Sequence, residues 1–143
     1  PMTYHDYIDS PVGRLLLVAD DGRLTRINLT DSDAPESPPA GSRRDPSALH
    51  FASRQLREYF AGQRRAFKIE LAPSGTDFQQ RVWHQVGAIA YGATASYAEI
   101  GRALGRPSAA RAVGAANGRN PLPIVIPCHR VLGADGALTG YRG

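Results

Sequence analysis

Asn120-Pro-Leu-Pro-Ile-Val-Ile-Pro-Cys-His-Arg130 is the stretch on which the reading of this chain turns. It holds the only cysteine, Cys128, followed at once by His129. Leu122 to Ile126 is an apolar run rich in β-branched residues, and it reads as a short buried strand. Pro121, Pro123 and Pro127 restrict the backbone around that run, so the frame fixes where the sulfur points. A lone cysteine is ordinarily an inert, buried small hydrophobe. Here imidazole and guanidinium follow it directly, and nearby cations lower a thiol pKa from about 8.5 and raise the share of thiolate at neutral pH. The pair favours a nucleophile with a proton handler. Successive strand residues point to opposite faces, so His129 reaches the sulfur only through a water or a sharp turn at Pro127-Cys128.

The segment leading to this stretch reads as three helices. Thr76-Asp-Phe-Gln79 is a capping box, and Val82, Trp83, Val86 and Ile89 continue it as an apolar stripe that stops near Tyr91-Gly92. Trp83 reads as core. Ser96-Tyr-Ala-Glu99 is a second capping box, opening a short helix to about Leu104, and Gly105-Arg-Pro107 breaks it. Ser108 is then expected to cap a third helix, Ala109 to about Asn117, built from Ala109, Ala110, Ala112, Gly114, Ala115 and Ala116. Two short helices joined by a Gly-containing turn form a helix-turn-helix pattern. The small residues allow close approach, either to another helix or to a ligand, and Arg111 is the one long cation among them.

Ahead of Ala72-Pro-Ser-Gly75, the best linker, the pattern changes. Thr3–Ile8 reads as a strand, and Ser10-Pro-Val-Gly13 as a turn. Arg14–Ala19 and Leu24–Leu29 read as a hairpin joined by Asp20-Asp-Gly22. Residues 31–46 read as a long surface loop, Ala48–Phe60 as a helix ended by Gly62, and Phe67–Leu71 as one more strand. No chemistry is visible in this part.

Composition sets bounds. With 143 residues the chain fits one compact unit or two small lobes. No apolar run is long enough to span a bilayer, and the opening Pro1-Met-Thr-Tyr-His-Asp lacks the features of a signal peptide, so a reducing cytoplasm is the expected home. One cysteine and four scattered histidines argue against a structural zinc site, and no metal or cofactor is expected. Residues 1–80 carry ten Lys+Arg against eleven Asp+Glu, whereas residues 81–143 carry seven Arg against two acids. The arginine-rich half is the half with the cysteine. A solvated basic face would account for the charge alone, but beside a reactive thiol it points to a polyanionic substrate.

The cysteine stretch resembles the active-site signature of the methylated-DNA–protein-cysteine methyltransferases, the O6-alkylguanine-DNA alkyltransferases. Gly75-Thr-Asp-Phe-Gln-Gln-Arg-Val-Trp83, Ser96-Tyr-Ala-Glu-Ile100, Ala110-Arg-Ala-Val-Gly114, Ala116-Asn-Gly118 and Leu138-Thr-Gly-Tyr141 resemble further family blocks in the same order. The resemblance implies an α+β protein. Residues 1–72 would form an N-terminal lobe of small β-sheet plus helix, ribonuclease-H-like. Residues 75–143 would form a mainly helical, winged-helix-like domain that binds DNA through its helix-turn-helix and carries out alkyl transfer.

By the same resemblance, double-stranded DNA containing O6-alkylguanine is the partner of a monomer, bound through the minor groove. Arg111 enters the duplex in place of the flipped base, with Tyr97, Ala109, Ala110, Gly114 and Asn117 at the DNA surface. Val125, Pro127, Tyr141 and Asn120 form the pocket, Asn120 bracing the turn before the cysteine. Cys128 attacks, His129 handles its proton and Tyr97 donates to the base. The alkyl group moves from O6 of guanine, and also O4 of thymine, irreversibly and once per molecule, with no cofactor. Two features depart from the family. Ala90 stands where Pro is usual, and the chain stops at Gly143, before the helix whose glutamate orients the histidine. No residue here takes that role, and Pro1-Met2 suggests a clipped or engineered start. An alternative reading is therefore a recognition module that binds alkylated DNA without reacting. A thiol hydrolase built on Cys128 and His129 is a third, but it lacks a group to orient the imidazole.

Overall fold

The computed structural model describes residues 2–30 and 37–133. The chain divides into two compact units, Pro1–Pro73 and Ser74–Gly143.

In the first unit, β1 (Thr3–Ile8), β2 (Arg14–Asp20), β3 (Arg23–Thr30) and β4 (Arg43–Arg44) form one sheet in the order β3-β2-β1-β4. β1 and β3 flank β2 antiparallel, and β4 joins β1 in parallel. The interior position of β2 follows from Leu15-Leu-Leu-Val-Ala19, a continuous apolar run buried at every residue. α1 (Pro46–Phe60) packs on β1 and β2 through Leu49, Ala52 and Leu56. Asp45 caps it by accepting the Ser47 N–H, and Pro46 occupies the first turn, where a missing N–H costs nothing.

Two expectations change here. β4 lies inside the stretch read as loop. Phe67–Leu71 does not form a full strand: it keeps one bridge, Leu24 to Leu71. The Gln55 amide takes both backbone groups of Lys68, accepting its N–H at 2.8 Å and donating to its carbonyl at 3.0 Å, so those groups are lost to any ladder.

In the second unit, α2 (Asp77–Gly87), α3 (Tyr97–Ala103) and α4 (Ala110–Gly118) pack on one another. Both capping boxes are present, at Thr76/Gln79 and at Ser96/Glu99. Trp83 is core, as expected, and its Nε1–H donates to the Ala116 carbonyl at 2.9 Å. α2 ends at Gly87, earlier than expected, because Ala90–Ala93 closes a turn of its own with Gly92 at φ +81°. Ser108 does not cap α4. The N-cap is Ala109, without a side-chain bond, because the chain turns once more through Ala109 N–H to the Arg106 carbonyl. A two-residue parallel pairing between β5 (Ala95–Ser96) and β6 (Val131–Leu132) sets the chain just after the cysteine beside the start of α3. No helix among the described residues is long and apolar enough to cross a membrane.

The main correction concerns Leu122–Ile126, which is a loop and not a strand. Pro121, Pro123 and Pro127 have no N–H to give to a ladder. The Ile126 N–H instead donates back to the Leu122 carbonyl at 2.9 Å.

Candidate active site

The loop before Cys128 is closed by Asn120. Its Nδ2 donates to the Ile126 carbonyl at 2.8 Å, and its Oδ1 accepts the Leu122 N–H at 2.8 Å. One amide thus spans the loop, and within it Ile124 is driven to φ +77°, a region β-branched residues avoid. The chain then bends sharply at Pro127. Its φ of −79° and ψ of 69° make an inverse γ-turn, with the Cys128 N–H on the Ile126 carbonyl at 2.8 Å. This is the turn that sequence required if His129 was to lie near the sulfur. Cys128, His129 and Arg130 form a single 3-10 turn, so alternation along a strand does not apply to them.

The ionisation of the thiol differs from the expectation. Cys128 is only 7 % exposed, and that burial pushes its pKa up, partly offset by a hydrogen bond from the Asn120 side chain and by the backbone N–H groups of Cys128 and His129. Burial also pushes the His129 pKa down, with the Arg130 charge adding to the effect, so the imidazole is neutral at physiological pH. Arg130 turns toward the loop after α2, where Nη1 donates to the Ile89 carbonyl at 2.8 Å and the guanidinium lies over the Tyr91 ring.

Tyr97 opens α3, and its hydroxyl oxygen is buried without a hydrogen-bond partner among the described residues. Its ring fills the space where Gly114 lacks a side chain: a Cβ there would lie 3.1 Å from a ring carbon. Gly114 therefore makes room for Tyr97 and is itself half-buried. Asn117 does not lie at the surface, which corrects its assignment to the DNA surface. It is 2 % exposed, on the inner face of α4 with Val113 and Ala116, and its Nδ2 donates to the Cys128 carbonyl at 3.2 Å. The spacing of those three residues, at i, i+3 and i+4, was the sequence signal that Asn117 points inward.

Arg111 is exposed, and Ala109 and Ala110 are half-buried. Val125 is half-buried and Pro127 buried, both in the cysteine loop. Tyr141 and the Leu138–Tyr141 block lie outside the described residues. The structure thus ties the side chains of Asn117 and Asn120 to Cys128, between its chain neighbours Pro127 and His129, and pairs Tyr97 with Gly114. Among the described residues no group of three or more His, Cys, Asp or Glu could hold a metal ion.

This arrangement can be compared with known proteins. The family model described as "6-O-methylguanine DNA methyltransferase, DNA binding domain" matches residues 77–143, and the "ribonuclease-like domain" of the same description matches residues 3–73. A constitutive methylated-DNA–protein-cysteine methyltransferase of Bacillus subtilis is 44% identical over 145 residues, covering 99% of this chain and 88% of its own length. The chain belongs to the methylated-DNA–protein-cysteine methyltransferase family. The crystal structure of Mycobacterium tuberculosis O6-methylguanine methyltransferase superposes with a TM-score of 0.89 at 48% identity, covering 98% of this chain and 84% of that one. The structure of Mycobacterium tuberculosis OGT in complex with DNA matches with a TM-score of 0.87 at 47% identity, covering 96% and 83%. The α+β class read from the sequence, with its small N-terminal sheet, is the class of these relatives.

Proposed function

We propose that this protein repairs DNA by direct reversal, moving the alkyl group of O6-alkylguanine, and also of O4-alkylthymine, onto Cys128 once per molecule. It acts in the cytoplasm as a monomer on duplex DNA. One observation carries the reading: the sole thiol stands at the head of a one-turn helix, its loop tied by Asn120 and its carbonyl tied to α4 of the helix-turn-helix by Asn117.

The chemistry follows from the groups present. The buried thiol is protonated at rest, so its proton must leave before attack. Neutral His129 is in the form that can take it. The sulfur then attacks the alkyl carbon, the S–C bond forming as the C–O6 bond breaks. The electron pair passes into the guanine ring, which regains its amide form on accepting a proton from the Tyr97 hydroxyl. The proton on His129 returns to the tyrosine through solvent. Burial strengthens the step as well as delaying it, because a desolvated thiolate loses none of its nucleophilicity to water. Arg111 holds the gap left by the everted nucleotide, with Ala109 and Ala110 allowing the helix to sit close. Everting a mispaired base costs a few kcal/mol or less. The thioether product is stable to cellular thiols, so turnover ends there.

The test is a duplex oligonucleotide carrying O6-methylguanine. Incubation adds the mass of one methylene to the protein, peptide mapping places it on Cys128, and Cys128→Ala abolishes the gain. Tight binding to that duplex with no mass gain would instead establish a recognition module without chemistry.

A further inference from the structure

We propose that Asn117 is a positioning residue for the reacting thiol, locking the Cys128 backbone to α4; the proposal rests on the reading of Cys128 as alkyl acceptor. Packing does not explain this side chain. Its inner-face companions, Val113 and Ala116, are apolar, and it is itself buried. Its Oδ1 is buried with no hydrogen-bond partner among the described residues. A buried, unsatisfied polar atom is costly, and a leucine of the same branched shape would avoid that cost. What the amide gives in return is the bond from Nδ2 to the Cys128 carbonyl.

That carbonyl is a controlling point. It also accepts the Val131 N–H that ends the one-turn helix, while the Cys128 N–H is held on Ile126. With both backbone groups fixed, the Cα–Cβ bond of Cys128 has one direction. Asn120 acts separately, through the loop and the sulfur. Among the described residues, Asn117 carries the hydrogen bond that joins this backbone to α4. The helix that carries Arg111 and the atom that reacts thus share one reference frame. Displacement of a reacting atom by about 1 Å can cost 10²-fold in rate, so a single bond at this junction has leverage on chemistry and little on binding.

Asn117→Leu keeps the branched shape and removes the donor. The expected result is a fall of about 10- to 100-fold in single-turnover methyl transfer at saturating O6-methylguanine duplex, with the Kd for DNA within about threefold of the parent. Trp83→Phe is the control. It removes a bond to the neighbouring residue of α4 without touching Cys128, so it lowers Tm yet keeps the transfer rate within about threefold. Equal rates for Asn117→Leu and the parent, a loss confined to Kd, or an equal loss of rate in Trp83→Phe would each overturn the proposal.

A second measurement uses the unmodified chain, so misfolding of a variant leaves no gap. The Asn117 side-chain amide resonances should be protected from solvent exchange and should shift when iodoacetamide caps Cys128. Rapid exchange and no response to capping would overturn the proposal even if the variant never folds. A parent chain that fails to accept methyl from DNA would sink the functional reading instead, and the iodoacetamide result would still stand on its own.

Discussion

Two turns among the described residues force an L-residue to positive φ, and they do so on opposite terms. The β2–β3 hairpin places Asp21 at φ +49° and Gly22 at +78°, the primed turn that matches strand twist, with residues that tolerate it. The loop before the cysteine places Ile124 at φ +77°, where a β-branched side chain is disfavoured by about 1–2 kcal/mol. In the first unit local chemistry and fold agree. In the second they conflict, and the conflict is held in place by the Asn120 amide. Strain kept beside a nucleophile fixes where it points, and a fold spends stability there that it does not spend elsewhere.

The comparison breaks most sharply at Asn120. Asn120→Ala removes both bonds across the strained loop and the bond to the sulfur, with no counterpart in the first unit. Stability should fall by about 1–3 kcal/mol, since buried partners are left unpaired. Transfer should slow by about 10²-fold as the sulfur wanders. The pH dependence gives a second handle. Burial already raises the Cys128 pKa, so iodoacetamide capping of the parent should have its midpoint above the free-thiol value of about 8.5. The Asn120 bond opposes that rise, so its loss should move the midpoint further up. The sign extends to folding: a thiol raised in the native state supports stability below its unfolded pKa, and the support fades as pH climbs past that value. A midpoint near neutrality in the parent would show that the cations beside Cys128 do govern it.

The next pair exchanges the two turns. Gly22→Ala puts a side chain at φ +78° and should cost about 1 kcal/mol, with no change in alkyl transfer. No neighbouring atom lies within 4 Å of its new Cβ, so the cost is conformational alone. Ile124→Gly removes strain while loosening the chain, two terms of about 1 kcal/mol that oppose each other. Chemical denaturation should find it near the parent in stability, although the same change at an unstrained, half-buried isoleucine would be plainly destabilising. Its transfer rate should fall, since a freer loop no longer fixes the sulfur. A clear loss of stability in Ile124→Gly would mean that the strain is smaller than the packing it accompanies.

What could be read from sequence divides along the same line. The hairpin, α1 and both capping boxes follow local rules that the sequence states openly, and the structure keeps them. Leu122–Ile126 has the composition of a strand, and that reading failed because three prolines and one asparagine override propensity at the loop. The resemblance puts Asn117 at the DNA surface, whereas its spacing with Val113 and Ala116, at i, i+3 and i+4, is the signal in the sequence that it faces inward. The thiol was expected to be acidic from its neighbours in sequence. Burial decides otherwise, and burial is a property of the fold that no neighbour list carries. Phe67–Leu71 alternates like a strand, yet a single side chain from α1, Gln55, claims the backbone at its centre.

The smallest effect tests whether α4 differs from α3 in the way its start is built. Ser96 caps α3 through the Glu99 N–H at 3.0 Å, and Glu99 returns the bond to the Ser96 N–H at 2.9 Å. α4 begins at Ala109 with no side-chain cap, although Ser108 stands one residue earlier. Ser96→Ala should therefore cost about 1 kcal/mol, and Ser108→Ala should fall within about 0.5 kcal/mol of the parent. Thermal melts of the two variants decide it. Equal losses would mean that Ser108 does cap α4 in solution, and α4 would then start one residue earlier, with Arg111 that much deeper in the helix. An undisturbed Ser108→Ala leaves α4 with an uncapped start, its far end tied to the cysteine by Asn117. In that case the end of α4 nearest the cysteine is the end that is held, and the end that carries Arg111 is the one free to adjust to a bound duplex.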